Sequence, residues 1–574
     1  MGNARRWGTL DPFVEPGPVM GRTVANAGFL RALLQADPFA AYDFFLADQA
    51  QRDTLARTLE HWSVAPWHAG HCHLLSRLDL PAALRQGDFH CFHLSDCLTS
   101  PAQLAALRNA LAPRIFPVTG VTHSLSYGRY AKDLLSLLWP GCTARDAVVA
   151  TSGTAVSVLR AYFKVLREGY GLDARHWPEP GVVRIPLGIP CREFTPPDPA
   201  VRTAARQRLG ARPEQCVLLI FGRLSHYAKL DALPVLRAVQ RLAHEGLGPA
   251  GFFLILAGGE PPQEQEHNDY IATLLELARN LGLDARVVAN PDDATRRDLY
   301  AAADVFLSPA DNPQETFGLT LLEAGAMGLP VVASDYDGYR DIVVHEGTGL
   351  LVPTLGPTET RDVDLLAGLW FDNQCHLRLA QQTVVEVGLL AEALGRLARD
   401  PALRERLGQA GRRRVLERFD WSVVVAHYLE LWERLWRAPV AAGPLRRQRH
   451  PLRIPYGRVF AAYPTRRLAP SLRVVASRTG QAVYRGQEFF TIYAGIADMV
   501  DAELVRRLLF MTRRPVSVAE LTRRLRQRSR ITASAVRACL LWALKHDLLE
   551  VVDGVTPAGG VIPDADTEAG PATS

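Results

Sequence analysis

The sequence predicts an α/β fold in which two doubly wound, Rossmann-like domains follow one another and face a cleft, with a small further domain at the C-terminus. Three observations support this prediction. The 574 residues are too many for one hydrophobic core. Short apolar runs alternate with helical patterns in two successive stretches of the chain. Finally, the balance of charge changes after residue 440.

The first domain is predicted over residues 1–182. Short apolar runs that end in polar residues, "DFHCFHLSD", "RIFPVTGVTHSLSY" and "TARDAVVA", are separated by helical patterns such as "PAQLAALRNAL". Strands that alternate with helices predict a parallel sheet covered on both faces. The last run leads into "TSGTAVSVLRAYFKVLREGYG", where small polar residues open an amphipathic helix.

The second domain is predicted over residues 183–418. Its proline-dense beginning, "VVRIPLGIPCREFTPPDPAVR", is interpreted as the connection from the first domain. The strand patterns then restart as "QCVLLIFGRLS", "GFFLILAGG", "ARVVAN" and "DVFLSPA". In doubly wound folds, ligands bind beyond the carboxyl ends of the strands, so the residues after these runs are the candidates for a site.

The C-terminal part of the chain is predicted to form a separate unit. Residues 441–574 carry 21 Lys+Arg against 11 Asp+Glu, whereas residues 1–440 carry 44 against 49. A Pro/Arg-rich linker is predicted over 441–469 and a compact domain over 470–553, with strands at "LRVVAS" and "AVYRG" before three helices and a closing strand. The tail, 554–574, has too few apolar residues to pack and is predicted to be disordered.

Composition indicates an ordinary soluble protein, with 48% hydrophobic and 22% charged residues. The eight cysteines show no CxxC spacing, which favours a reduced, cytoplasmic setting. No apolar run reaches the roughly 20 residues that cross a bilayer, so any membrane contact would be peripheral. His68, His71, Cys72 and His73 could be read as a metal cluster, but a second ligand pair is missing and no metal site is predicted.

Two glutamates eight positions apart flank a glycine in "NPQETFGLTLLEAGAMGLPVVAS". Glu315 follows a strand, and Gly318 permits a tight turn into a helix whose first N–H groups suit a diphosphate or a sugar hydroxyl. Glu323 lies about one turn further on, where its carboxylate could accept hydrogen bonds from the vicinal hydroxyls of a ribose. Taken alone, both could equally be solvated surface residues.

Two cations follow another strand of the same domain. Arg223 comes directly after "LLIFG", and Lys229 lies six residues later. Two positive charges at the carboxyl edge of a parallel sheet are suited to bridging a diphosphate and to neutralising a leaving nucleotide. Each is a common surface residue by itself, but together with the glutamates they indicate a site.

These residues carry a resemblance to the GT4 family of retaining glycosyltransferases, which have the GT-B fold. "FGRL" with the following lysine, "GG", "ADVFLSP" and "ETFGLTLLEAGAMGLPVVASDYDGYRDIVVHEGTGLLV" are similar to that family's motifs. The resemblance covers roughly residues 15–436 and is strongest over 183–353. "FDWSVVVAHYLELWERL" resembles the terminal helix of the family, which implies that residues 419–440 cross back to the first domain.

The resemblance implies roles for the donor-side residues. Arg223 and Lys229 would hold the donor diphosphate, and Glu323 would hold the ribose. The transferred sugar would be held by Glu315 together with a backbone segment. That segment consists of Phe317, Gly318 and Leu319.

On the opposite side of the cleft, His123 matches the histidine that the family places beside the sugar; the alternative is an ordinary packed or surface histidine. The family transfers with retention at the anomeric carbon and needs neither a bound metal nor another cofactor. The match departs from the family near the N-terminus. No apolar strand is evident before the loop that contains Gly17 and Gly21, so the resemblance supports no phosphate or acceptor contact at Gly21.

The pattern of residues 470–553 is typical of a winged helix. Its basic run contains Arg523, Arg524, Arg526, Arg528 and Arg530. This run has three interpretations: a solvated helix face, part of a module that resembles the PqqD-like peptide-recognition domains and captures a peptide or protein by strand addition, or a phosphate-binding surface for nucleic acid.

Two hypotheses of function follow. The first is a cytoplasmic hexosyltransferase, independent of metal, that uses a nucleotide diphosphate sugar and an unknown acceptor (a glycan, a small molecule or a peptide). The second is a regulatory protein that senses a sugar nucleotide and binds nucleic acid through its basic C-terminal domain.

Overall fold

The structure, a computed structural model, describes residues 5–15, 21–259, 265–369, 372–527 and 531–552. The chain divides into two compact units, Met1–Arg453 and Ile454–Ser574. The division falls inside the predicted linker 441–469. Among the described residues, no helix is long and apolar enough to cross a membrane.

The first sheet of the first unit is parallel, and its strands have the order β3-β2-β1-β4-β5-β6-β7. Its strands are β1 (Arg6–Thr9), β2 (Ala41–Leu46), β3 (Cys72–Ser76), β4 (Phe89–Leu94), β5 (Val118–Val121), β6 (Asp146–Ala150) and β7 (Gly181–Arg184). Its helices are α1 (Gly21–Ala36), α2 (Gln49–Trp62), α3 (Ala65–His68), α4 (Leu80–Gln86), α5 (Pro101–Leu111), α6 (Tyr130–Ser136) and α7 (Gly153–Tyr170).

Two strands of this sheet, the central β1 and the edge strand β7, differ from the prediction. Strand β1 was not expected, because only four residues, "RWGT", form it; they pair with β2 and β4 at the centre of the sheet, and the Trp7 side chain is fully buried. Strand β7 extends the first sheet to Arg184, two residues beyond the predicted boundary at 182. The proline-dense sequence that follows β7 concealed this edge strand.

The second sheet is also parallel, with the order β10-β9-β8-β11-β12-β13. Its strands are β8 (Cys216–Phe221), β9 (Phe252–Gly258), β10 (Asp284–Ala289), β11 (Val305–Ser308), β12 (Val331–Ser334) and β13 (Gly349–Val352), and a separate pair is formed by β14 (Thr354–Leu355) and β15 (Val384–Val385). The accompanying helices are α8 (Pro199–Leu209), α9 (Leu233–His244), α10 (Gln265–Leu281), α11 (Asp293–Ala302), α12 (Leu319–Ala326), α13 (Tyr339–Ile342), α14 (Arg361–Ala367), α15 (Asp372–Ala380), α16 (Val387–Arg399), α17 (Pro401–Arg418), α18 (Trp421–Arg437) and α19 (Ala442–Leu445).

Helix α18 belongs to the core of the first sheet although it follows the second sheet in the chain. Asp420 caps its beginning by accepting a hydrogen bond from the Ser422 N–H. Its buried face places Trp421 and Trp432 in one hydrophobic cluster with Phe29 of α1. The chain therefore passes between the two domains twice, before α8 and again between α17 and α18.

Each sheet reverses its strand order beside its first strand, between β1 and β4 and between β8 and β11. A reversal of this kind opens a crevice at the carboxyl ends of the strands, and ligands of doubly wound folds bind there. The residues that follow β8 and β11 are therefore placed for binding.

The second unit contains a three-stranded antiparallel sheet with the order β17-β16-β18. Its strands are β16 (Arg473–Ala476), β17 (Val516–Ser517) and β18 (Leu549–Val551), and its helices are α20 (Tyr456–Val459), α21 (Arg478–Tyr484), α22 (Ala502–Met511), α23 (Val518–Gln527) and α24 (Ala533–Lys545). The prediction of a strand at "AVYRG" is wrong, because most of this segment lies in α21. Ser477 caps that helix by accepting a hydrogen bond from the Gly480 N–H at 3.0 Å.

Part of the basic run is neutralised within its own helix. Arg523 and Arg524 of α23 both pair with Glu520, one turn earlier. Arg528 and Arg530, like the predicted disordered tail, lie outside the described residues. Of the described arginines of the run, the first two are therefore engaged with an acid on the same helix face.

Candidate active site

Strands β8 and β9 end in close contact, which fixes the backbone where the site begins. Gly258 has φ +141°, and a Cβ atom there would lie 1.6 Å from the Gly222 carbonyl oxygen. Only glycine tolerates such an approach. Arg223 follows directly, and its Nη2 donates hydrogen bonds to Gln314 Oε1 at 2.6 Å and to the Ala228 carbonyl at 3.0 Å. The guanidinium is thereby directed towards the loop after β11.

Lys229, in the loop after β8, forms an ion pair with Glu315, in the loop after β11. Their side chains are only 14% and 9% exposed. Glu315 Oε2 also accepts a hydrogen bond from the Tyr339 hydroxyl at 3.1 Å, and Oε1 accepts from the N–H groups of Thr316 at 3.1 Å and Phe317 at 3.2 Å. Burial acts to raise the pKa of Glu315, but the Lys229 ammonium and the N–H donors prevail and hold it at about 2. Glu315 is therefore ionised at neutral pH.

Gly318 turns the chain into α12. It has φ +109°, and a Cβ atom there would lie 2.6 Å from the Tyr339 ring. Phe317 is buried beside it, and no side chain caps the helix that Leu319 begins. The free N–H groups at this helix beginning lie next to the Glu315 carboxylate in the chain.

Replacement of Gly318 by alanine should destabilise the protein by about 2 kcal/mol, because the left-handed backbone and the Tyr339 ring both exclude a methyl group. Thermal unfolding measures the effect as a lower Tm. Gly169→Ala is the control: Gly169 is a helical glycine with open space around its Cβ position, and alanine should be neutral or stabilising there. An unchanged Tm in Gly318→Ala would contradict this account of the turn.

Glu323 occupies a neighbouring but distinct cluster. It is 4% exposed, pairs with Arg296 of α11, and accepts a hydrogen bond from the Tyr300 hydroxyl at 2.7 Å. The Arg296 guanidinium lies over the ring of Phe221, the last residue of β8. Glu323 is thus close to the same strand end, but both of its oxygens are already bonded to protein groups.

His123 lies at the carboxyl end of β5, in the first domain. Its Nε2 is 2.8 Å from the Ser95 carbonyl oxygen, so Nε2 carries the proton and Nδ1 is left as an acceptor. Nδ1 has no hydrogen bond to any residue that the structure describes. Burial lowers the pKa of His123 to about 4, so the ring is neutral at pH 7.

The loop that begins at His123 reaches the second domain. The Tyr127 hydroxyl contacts Gln314 Nε2, and the Gly128 N–H donates to Asp372 Oδ1 at 2.8 Å. Gln314 also binds Arg223, so a single amide connects the Arg223 guanidinium with the first domain.

A second contact between the domains involves the beginning of α7. The Gly153 N–H donates to Asp341 Oδ2 at 2.6 Å, and the Ser152 hydroxyl donates to Asp337 Oδ1 at 3.5 Å. Burial, with the nearby Glu315 charge, raises the pKa of Asp337 to about 7. Asp337 and Asp341 therefore join the second domain to the beginning of α7.

Asp311 provides a pH-dependent prediction in the same loop. It is 4% exposed, its Oδ1 has no hydrogen-bond partner among the described residues, and burial raises its pKa to about 8. The folded state thus holds this proton more tightly than the unfolded chain, and Asp311 removes stability as the pH rises from about 4 through 8. Asp311→Asn should raise Tm more at pH 8.5 than at pH 5.

The exposed Asp364→Asn serves as the control and should shift Tm equally at both values. A gain in Asp311→Asn that does not grow with pH would contradict the prediction.

The predicted residues are only partly brought together. Arg223 binds Gln314 and Lys229 binds the next residue, Glu315, so these three predicted residues converge on the loop after β11. Glu323 instead binds Arg296 and Tyr300. The sequence interpretation missed Gln314, although its position beside Glu315 was an available signal. It also missed Tyr127 and Asp337, which only the approach of the two domains makes relevant.

Two members of the considered metal cluster, Cys72 and His73, lie in strand β3. Cys72 is buried in β3, and His73 Nδ1 lies 2.6 Å from Asp43 of the neighbouring strand. Within the described ranges, no group of three or more His, Cys, Asp or Glu side chains is placed to hold a metal ion.

Residues 201–359 match the model of the family described as "Glycosyl transferases group 1". The D-inositol 3-phosphate glycosyltransferase of Xylanimonas cellulosilytica is 31% identical over 292 residues, which cover 50% of this chain and 58% of that protein. The phosphatidyl-myo-inositol mannosyltransferase of Mycobacterium tuberculosis is 27% identical over 356 residues, which cover 61% of this chain and 75% of that protein. The chain thus spans little more than half the length of the first of these relatives.

Among solved structures, a glycosyltransferase from Rickettsia africae aligns with a TM-score of 0.51 and 16% identity, over 76% of this chain and all of that one. At this identity the likeness shows the fold alone. The two parallel sheets and this match identify the first unit as a GT-B fold, in which residues 201–359 carry the sequence of a group 1 glycosyl transferase domain.

Proposed function

We propose that the chain is a retaining, GT4-like glycosyltransferase that transfers a hexosyl group from a nucleotide diphosphate sugar to an acceptor without a bound metal ion. The observation that carries this proposal is the convergence of Arg223 with the buried Lys229–Glu315 pair at the carboxyl edge of the second sheet. The match of residues 201–359 to a glycosyl transferase family supports the same conclusion.

The cations suit the departing nucleotide. When the glycosidic bond breaks, negative charge grows on the donor diphosphate, and two fixed positive charges in a partly buried site stabilise that charge strongly. The Lys229 ammonium is paired with Glu315. The diphosphate therefore has to compete for the ammonium, and in doing so it releases a Glu315 oxygen.

That released oxygen links donor binding to recognition of the sugar. The nearby Lys229 ammonium and the N–H donors keep Glu315 ionised, so the freed oxygen can accept a hydrogen bond from a sugar hydroxyl. The backbone of Phe317, Gly318 and Leu319 lies nearby; the Phe317 N–H already donates to Glu315, and the N–H groups of Gly318 and Leu319 are the proposed donors to the sugar. His123, neutral with an open Nδ1, offers an acceptor from the first domain.

Glu323 is proposed to hold the ribose. Its carboxylate would bind vicinal hydroxyls by exchanging the hydrogen bond to Tyr300 or the pair with Arg296. Because Arg296 and Tyr300 both remain beside it, the negative charge of the Glu323 carboxylate would stay balanced during that exchange.

The test is an assay of hydrolysis and transfer with UDP-, GDP- and ADP-sugars. Because two relatives are named for inositol-containing acceptors, inositol phosphates belong in the acceptor panel. We expect Glu315→Ala to lower turnover about 10²–10³-fold, since it removes the sugar-binding carboxylate and leaves a buried ammonium unpaired. The exposed Glu346→Ala should leave turnover unchanged. The NMR signal of the product's anomeric proton reports whether configuration is retained.

Equal turnover by wild type and Glu315→Ala would remove Glu315 from the proposal. If the protein binds none of the three classes of nucleotide sugar, the proposed function is wrong.

For residues 470–553 we propose recruitment of a peptide or protein partner by strand addition. Strands β17 and β18 form the edges of the described sheet, and Phe489 and Tyr493 are 83% and 66% exposed. A short peptide encoded beside this gene should slow amide exchange at one edge strand of the full chain. Binding without such protection would argue against strand addition.

We also place the reaction in the cytoplasm, with any membrane contact made at the protein surface. All eight cysteines are free thiols, and most of them are buried. The absence of disulfides among them suits a reducing compartment.

A further inference from the structure

A cavity of about 430 Å³ lies away from the candidate active site, where the chain passes between the two domains of the first unit. One wall is formed by residues 183–186, at the end of β7 and just after it, and by α18; the other wall is formed by α13 and the end of α17. None of Arg223, Lys229, Glu315 and Glu323 lines this cavity.

The lining of this cavity is strongly basic, with only Asp341 and Glu430 as acids. Its basic side chains are Arg184, Arg340, Arg414, Arg418, His427 and Arg434.

Three of the basic groups are already engaged. Arg414 donates to the carbonyls of Ile342 at 2.8 Å and Asp341 at 2.7 Å. Arg340 pairs with Asp335 at 2.8 Å, and Arg184 lies 3.4 Å from an oxygen of Asp341. These contacts fix the positions of the Arg414, Arg340 and Arg184 side chains.

The other three have no such compensation. The side chains of Arg418, His427 and Arg434 form no hydrogen bond or ion pair with any residue within the described ranges. Burial lowers the pKa of Arg414, and the neighbouring Arg418 charge lowers it further, although Asp341 opposes this shift. Arginines that repel one another around a hollow are stabilised when an anion enters it.

We propose that this cavity, the basic pocket, binds a small ligand that carries phosphate groups. The planar guanidinium forks of Arg418 and Arg434 match phosphate oxygens, and the volume is that of an ordinary small-molecule site. The two carboxylates, Asp341 and Glu430, would repel an anion, but the basic side chains of the lining outnumber them. This binding site goes beyond the proposed glycosyl transfer and does not depend on it.

The location gives the basic pocket a consequence for the rest of the first unit. Asp341 lines the pocket and also accepts the hydrogen bond from the Gly153 N–H of the first domain. A ligand that contacts residues 183–186 together with α17 and α18 would bridge the two segments through which the domains are joined. Occupancy of the basic pocket should therefore favour one relative arrangement of the two domains.

The experiment titrates the full chain with pyrophosphate at low salt by calorimetry. Wild type should show two classes of site, the basic pocket and the donor site, and Arg418→Gln/Arg434→Gln should lose one of them or weaken it at least tenfold. Arg413→Gln/Arg437→Gln is the matched control, because these exposed arginines lie on the same two helices but do not line the pocket. Arg223→Gln should weaken only the donor class.

The proposal is overturned if Arg418→Gln/Arg434→Gln keeps both classes, or if wild type shows a single class that Arg223→Gln removes. Because the readout is binding, a failure of glycosyl transfer would leave this result standing. A parallel sedimentation with phosphatidylglycerol vesicles identifies the source of the phosphate. Vesicle binding that the double variant loses indicates a lipid headgroup, whereas pyrophosphate binding without it indicates a soluble compound.

Discussion

Lys229→Met should lower kcat/KM with the preferred sugar nucleotide about 10²–10³-fold, which corresponds to about 3–4 kcal/mol of lost transition-state stabilisation. Methionine keeps much of the length of lysine but removes the charge that we assign to the donor diphosphate. The same change leaves the Glu315 carboxylate buried without its ammonium partner. Steady-state kinetics with wild type and variant measure the effect on catalysis.

The variant should also be less stable by about 3–5 kcal/mol at pH 7, because breaking a buried ion pair leaves an uncompensated charge. In wild type, the lowered pKa of Glu315 contributes stability that is present above about pH 4.5, the ordinary value, and is lost as the pH falls towards about 2. The stability difference between wild type and Lys229→Met should therefore narrow over that range, as urea unfolding at pH 7 and pH 3 would show.

Lys164→Met is the matched control, since Lys164 is 75% exposed on α7 and its pair with Glu168 is a surface contact. It should change neither kinetics nor stability. Unchanged kcat/KM in Lys229→Met would refute the role of Lys229 at the diphosphate, whatever happens to stability.

Arg108→Met should destabilise the first domain by about 3–5 kcal/mol, because it breaks a buried ion pair. Arg108 is fully buried. Its two Nη atoms bind the Asp146 carboxylate at 2.5 and 3.0 Å, and it also donates to the Phe116 carbonyl and to Asn109 Oδ1. Its loss strands Asp146, at the start of β6, with only the Thr143 donors.

Chemical denaturation measures this loss, and Arg114→Met provides the comparison. Arg114 pairs with Asp88 at the surface, where both side chains are about half exposed, so its loss should cost less than about 1 kcal/mol. Combining Arg108→Met with Asp146→Asn should cost less than the sum of the single changes, because neither charge is then left alone. Additive costs would contradict the interpretation of Arg108 and Asp146 as one unit.

The strands and helices of both sheets were predictable wherever a segment shows its own pattern. The apolar run "CVLLIF" forms β8, and "FFLILAG" forms β9. Prediction failed for β1, because four residues, two of them polar, are too short to show a period and become a strand only by pairing on both sides. It also failed at "AVYRG", where the Ser477 cap favours a helix over the local strand propensity.

The site divides in the same way. The positions of Arg223, Lys229, Glu315 and Glu323 after strands were visible in the sequence, because the carboxyl ends of parallel strands share one edge. That Lys229 pairs with Glu315 while Glu323 turns to Arg296 was not visible. Those choices depend on side-chain directions and burial within loops.

The sequence by itself therefore determined the repeated α/β organisation, the strand ends that carry charge, and the turn that needs Gly318, because hydrophobic period, chain order and backbone sterics are local properties. Only the tertiary structure decided that Gln314 connects Arg223 with Tyr127, and that arginines from α13, α17 and α18 surround one pocket. Contacts between residues far apart in the chain arise from packing, and no local pattern specifies them.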